Sequence, residues 1–208
     1  MTRYRLFTDA ASYNNGKKDP SKPQHSYSAA LLVDEDGNLL HSVGSFNPNT
    51  TNNYGEIFAI YLGLKESVKY LEENGLPLKI DLYSDSEICV NGLNTWIHNW
   101  KKKAVDGIWY GSSGMVSNQE IFKLIDEMRN KPRGKKLFKN MRTHKKYDIN
   151  IYHVRGHIDV NKSKDVQKAI KTFERVNGFP ISHDKLTFIV DMNNKVDKVA
   201  VNQLKKYV

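Results

Sequence analysis

The chain has 208 residues, 39% of them hydrophobic, and one cysteine, a composition for a single soluble globular domain that excludes a disulfide scaffold and a disordered chain. No apolar run reaches the ~18 residues of a membrane helix, and the opening MTRYRLFTDAAS reads as a strand rather than a signal peptide, so an intracellular, cytoplasmic setting is expected. A net charge of +9, from 32 Lys and Arg against 23 Asp and Glu, points to a polyanionic partner.

In chain order, residues 3–9 (RYRLFTD) predict a strand ending at Asp9, and the Asn-, Lys- and Pro-rich residues 14–24 a loop. A second strand is expected over 26–33 and a third over 39–45, joined by the turn Asp34-Glu35-Asp36-Gly37-Asn38, so the three run antiparallel. Thr51, Asn52 and Asn53 offer N-cap side chains to a helix whose Ile57, Ile60, Tyr61, Leu64, Val68 and Leu71 recur at helical spacing. Asn74-Gly75 is a stop for that helix, and Lys79 to Tyr83 an alternating strand followed by Asp85. Cys89 lies in an apolar stretch and is expected to be a small buried hydrophobe.

Short helices are expected over 88–100 and 117–128, a fifth strand over 148–154 and a final helix over 193–206, with a short strand over 186–190 before it. The order βββ-α-β-α-α-β-α describes one α/β domain, a mixed five-stranded sheet flanked by helices. Positive charge is concentrated twice: in Lys101, Lys102 and Lys103, directly after Trp96 and Trp100, and between Lys131 and Lys146, which holds eight Lys and Arg and no acid.

Taken singly, Asp9 and Asp85 suit turn or helix caps, and Glu56 suits the positive end of its helix. Taken together, two strands followed by Asp and a helix opening with Glu can bring carboxylates to one sheet edge. Clustered carboxylates repel unless a cation neutralises them, and oxygen-only ligands select hard ions.

Thr8-Asp9, the run Thr51-Asn52-Asn53-Tyr54-Gly55-Glu56, Ser84-Asp85-Ser86, Val154-Arg155-Gly156-His157 and the run Asn193 to Ala200 occur in the order found in type I ribonucleases H, a family this chain resembles over nearly its whole length. The resemblance implies the ribonuclease H fold and an endonuclease that cuts the RNA strand of RNA/DNA hybrids, leaving 5′-phosphate and 3′-hydroxyl ends. It implies two Mg2+ ions, replaceable by Mn2+, on Asp9, Glu56, Asp85 and Asp197, with His157 aiding proton transfer or product release. Asn52 and Asn53 match the pair that reads RNA 2′-hydroxyls, Thr51 a DNA-phosphate contact and Asn118 a further hybrid contact. Residues 96–102, WIHNWKK, resemble the basic protrusion of bacterial members, placed here at about 94–116; Trp96, Trp100 and Trp109 are expected as its core and Lys101, Lys102 and Lys103 against phosphates.

The sequence departs from the family at Ala10-Ala11, at Tyr54 where Arg is common, and at Glu87, where an acid replaces a hybrid-contacting Gln and loses its donor. Two insertions are expected, at about 131–146 and 160–190. The second leaves Asp165 as a rival fourth carboxylate, because Asn161 to Asp165 repeats the spacing of Asn193 to Asp197; the stripe Val196, Val199, Ala200 and Leu204 favours Asp197. A DNA-directed nuclease of the same fold and a non-catalytic hybrid- or RNA-binding module are the rival functions. No oligomerisation signal is present, so a monomer is the default expectation.

Overall fold

In the computed structural model, which describes residues 2–17, 19–130, 132–133 and 145–208, strands β1 (Tyr4–Tyr13), β2 (His25–Val33) and β3 (Leu39–Asn47) form an antiparallel meander. Helix α1 (Asn52–Glu73) then crosses to β4 (Lys79–Ser84), which lies parallel to β1, and β9 (Asp148–His153) adds in parallel to β4. The sheet order is β3-β2-β1-β4-β9, the five-stranded mixed sheet expected from the sequence.

Between β4 and β9 come α2 (Glu87–Asn91), a π-helical turn (Gly92–Trp96), α3 (Ile97–Lys102), the hairpin β5 (Tyr110–Gly111) and β6 (Gly114–Met115), and α4 (Gln119–Asn130). Strands β7 (Pro132–Arg133) and β8 (Lys145–Lys146) pair with each other, and the rest of the basic insertion at 131–146 lies outside the described residues. Helices α5 (Ser163–Asn177) and α6 (His183–Leu204) complete the chain. Among the described residues no helix is long and apolar enough to cross a membrane.

Alternation along the strands divides the core into two layers. Leu6, Ala30, Leu32, Ile80 and Leu82 face α1 and α4, whereas Phe7, Ala29, Leu31, Val33 and Tyr83 face α5 and α6. Cys89 is buried in the first layer, where burial pushes its thiol up to about 12.

Strand β1 and helix α6 differ from the sequence expectations. Strand β1 runs past Asp9 to Tyr13, because β2 continues to pair with it after β4 has ended. Residues 186–190 are helical rather than extended: Ser182 caps the helix by accepting from the Lys185 N–H, and Leu186, Ile189, Val190, Asn193, Val196, Ala200 and Leu204 form one continuous buried stripe of α6. Val199 belongs to the outer side of that helix and is 37% exposed.

Helix α1 sits unusually close to the sheet. A Cβ at Gly63 would stand 2.8 Å from the Ala30 Cβ and 3.2 Å from the Thr8 methyl, and one at Gly55 would stand 2.9 Å from both Ala10 and Ser26. The Ser28 hydroxyl donates to the Gly55 carbonyl at 2.7 Å and fixes the height of the first turn. Gly63→Val should therefore lower stability by about 2–3 kcal/mol through overpacking, read as a lower urea midpoint with an unchanged slope.

Candidate active site

The register of β1 on β4 places the first two carboxylates. Their last parallel pair is Phe7 with Tyr83, so Asp9 and Asp85 each lie two residues beyond it, side by side where β4 stops and the sheet opens. This is the carboxyl end of the parallel strands, the edge at which α/β sheets place ligands. Glu56 arrives from above: Thr51 accepts from the Tyr54 N–H at 3.1 Å to start α1, and the tight seat of Gly55 lowers the next residue onto Asp9.

Asp9, Glu56 and Asp85 each offer an oxygen within 4.8 Å of the others. Asp9 and Glu56 are buried and Asp85 half-buried. Burial first, then the Asp85 charge, pushes the Asp9 carboxyl up to about 8, and Asp197 adds to the rise. Burial and the Asp9 and Asp85 charges push Glu56 well up. Burial also raises Asp85, against the lowering effect of its hydrogen bond from Asn193.

These acids open on a cavity of about 550 Å³ lined by Asp9, Ala10, Asn52, Asn53, Glu56, Asp85, Ser86, Glu87, Ile88, His157 and Asp197. Five carboxylates and no Lys or Arg occur in that lining. Buried Glu56 Oε2 has no hydrogen-bond partner among the described residues. An all-oxygen cluster with an orphaned buried acceptor fits a hard divalent cation, which would supply the missing charge and the missing partner at once.

Four residues outside the expected site shape it. Gly156 lies so close that a Cβ there would collide with Asp85 Oδ2. Asn193, fully buried and one turn before Asp197 on α6, donates to Asp85 Oδ2 at 3.5 Å. The His153 Nε2 lies 3.2 Å from the Asp85 carbonyl oxygen, and Asn177, the last residue of α5, donates to the His153 carbonyl and accepts from its N–H at 2.9 and 3.0 Å. Gly156 and Asn193 lie inside motifs the sequence displays; the Asn177 contact has no local signal, because 24 residues separate the partners.

A model of the RNase H family matches residues 1–172. The chain belongs to the RNase H family. It is a type I ribonuclease H, an enzyme of a metal-dependent nuclease family. Ribonuclease H of Acetivibrio thermocellus is 32% identical over 131 residues, covering 62% of this chain and 76% of that protein. Ribonuclease H of Clostridium botulinum is 29% identical over 161 residues, covering 76% of this chain and 87% of its own. In fold the chain is similar to the solution structure of the PFV RNase H domain, with a TM-score of 0.52 and 17% identity over 85% of this chain and 92% of that one.

The span of the RNase H match and the geometry differ over the fourth acid. Asp165 falls inside the matched residues and Asp197 beyond them, yet Asp197 lines the acid cavity and Asp165, in the first turn of α5, does not. Asp197 is thus the one of the two that shares a cavity with Asp9, Glu56 and Asp85, and the 40 positions from His157 to Asp197 are filled largely by α5 and the first turns of α6.

A second cavity of about 560 Å³ shares Asn53 and Ile88 with the first and continues under the protrusion, lined there by Trp96, Trp100, Lys103, Tyr110 and Phe122 among others. Trp109 is buried and Trp100 packs edge-on against Phe122 at 5.1 Å, as expected of core, but Trp96 is 39% exposed. Lys101, Lys102 and Lys103 are all exposed, and Lys101 also forms an ion pair with Asp126 of α4. That contact ties α3 to α4. Thr51 caps α1, and Asn118, in the left-handed region at φ 56°, precedes α4; neither lines either of these two cavities.

Because the Asp9 carboxyl is raised in the folded state, its contribution is full below the unfolded value and is lost as pH climbs through about 8. Metal-free protein should lose thermal stability from pH 5 to pH 8.5, by about 5–10 °C. Asp9→Asn should flatten that fall, and millimolar Mg2+ should raise the midpoint more at pH 8.5 than at pH 5. A scanning calorimetry series reads all three effects.

Proposed function

We propose that this ribonuclease H hydrolyses the RNA strand of RNA/DNA hybrids, with Asp9, Glu56, Asp85 and Asp197 holding two Mg2+ ions that Mn2+ can replace. The observation that carries the reading is the reach of three carboxylates within 4.8 Å beside two asparagine amides, on one cavity wall. A pair of divalent ions supplies Lewis acidity at the phosphate and stabilises charge on the attacking and leaving oxygens.

The chain's own residues do the rest. Asn52 and Asn53 present amides at the cavity, the donor-acceptor chemistry that recognises a 2′-hydroxyl and separates RNA from DNA. Asn52 is also held towards Glu56 by a 3.4 Å contact to Oε1, so substrate reading and metal holding share one helical turn. Exposed His157 at the cavity mouth takes or returns the proton when water adds to phosphorus and the bond to the 3′ oxygen breaks, leaving a 5′-phosphate and a 3′-hydroxyl. Trp96, Trp100, Lys102 and Lys103 line or flank the continuation of the groove, where the DNA strand passes, with Lys101, Thr51 and Asn118 as supports. The whole chain acts as one domain, with the protrusion at 94–116 and helix α5 as its elaborations.

Purified protein should cut a labelled hybrid in Mg2+ and leave duplex DNA, duplex RNA and EDTA controls intact. Cleavage of duplex DNA at the same rate would favour the DNA-directed reading, and binding without cleavage the non-catalytic one. Asp9→Asn and Asp85→Asn should each lower turnover by more than ~100-fold with the fold retained. Asp197→Asn should behave likewise and Asp165→Asn should not; the opposite order would move the fourth ligand to α5.

A further inference from the structure

Helix α5 carries a feature that metal binding and the protrusion do not use. Its buried side is Val166, Ala169 and Phe173, packed with Ile158, Ile181 and Leu186 in the second core layer. At 100° per residue, Lys164, Lys168, Lys171 and Arg175 fall within an arc of about 60° directly opposite that side. All four are exposed. The two acids of the helix lie at the flanks of this arc: Asp165 is half-buried, and Glu174 is turned to accept from the Ile181 N–H at 3.3 Å. Lys162, just before the helix, is paired with Asp159.

The stripe is also anchored. Asn177 grips both backbone groups of His153, whose ring lies 3.2 Å from the Asp85 carbonyl oxygen. Arg175 therefore stands at the active-site end of α5, and Lys164 about 16 Å farther along the helix. A row of four cations about 5 Å apart, rigidly tied to the metal edge and on the opposite helix face from the core, has the spacing and sign of a polyanion track.

We propose that this face of α5 is a second contact surface for the nucleic acid, gripping the phosphates of a duplex that extends beyond the metal site. The inference rests on the hybrid reading above and deepens it: the enzyme distinguishes long hybrids from short ones through Lys164, Lys168, Lys171 and Arg175. The occupant is the continuing hybrid duplex, by charge complementarity and by the tether of the helix to Asp85.

The test compares the parent with K164Q/K168Q/K171Q/R175Q and with a control of equal charge loss elsewhere, K65Q/K69Q/K205Q/K206Q. Each is titrated in EDTA against hybrids of about 24 and about 8 base pairs by fluorescence anisotropy, over a salt series. The α5 variant should bind the long hybrid about 10-fold more weakly, with a salt slope lower by about 2–4, and bind the short one as the parent does. The control should change both by less than about 2-fold. Lys-to-Arg replacement at 164, 168 and 171 should retain parental binding, which separates charge from fold. In Mg2+ the α5 variant should show a raised KM for the long hybrid with kcat kept. Equal weakening by the α5 variant and the control, or equal weakening for both lengths, overturns the proposal. A parent that binds hybrid but does not cut it in Mg2+ instead overturns the catalytic reading, and the EDTA arm still decides whether α5 grips the duplex.

Discussion

Carboxylates that repel one another are held together here by everything around them. Asp9, Glu56 and Asp85 come within metal reach only because β1 and β4 share a register, α1 is seated on Gly55 and Gly63, and the Gly156 backbone backs Asp85. Each is driven towards its neutral form when no cation is present. The close packing of α1 and the full burial of Ile57, Ile60, Leu64 and Leu71 oppose that repulsion. The site is thus a strained edge on a well-packed sheet, and its strain is relieved by the ion it is built to take.

Much of this was legible in the sequence because the relevant signals are local. The turn around Gly37, the Thr51 cap and the Asn74-Gly75 stop each act within a few residues, and they define β2, β3 and α1. The acids were legible because each stands just past a strand or at the start of a helix. Other features depend on distant partners. Residues 186–190, LTFIV, carry β-formers and read as extended alone; only their phase with Val196, Ala200 and Leu204 makes them helical. The ion pair of Lys101 with Asp126 of α4 joins residues 25 apart and has no local signal. Trp96, 39% exposed, closes a π-helical turn that no residue pattern announced.

The second insertion also has a structural task. Strand β9 is the sheet edge, and its last residue would leave backbone groups unpaired there. The Asn177 side-chain amide satisfies both, acting as a one-residue extension of the sheet. Asn194 donates to the Ile158 carbonyl at 3.1 Å and so ties the His157 loop to α6. The loop bearing the histidine is thereby bounded by β9 on one side and by α6 on the other.

The packing of α6 on β1 and β2 sets the order in which the second core layer can close during synthesis. Helix α6 packs on β1 and β2, which lie far earlier in the sequence, so the second core layer closes only once α6 has been made. Until then Phe7, Leu31 and Tyr83 lack the α6 side chains that cover them, and the acid cavity lacks its α6 wall. A partly made chain therefore carries the Asp9, Glu56 and Asp85 edge before the α6 side of its cavity exists.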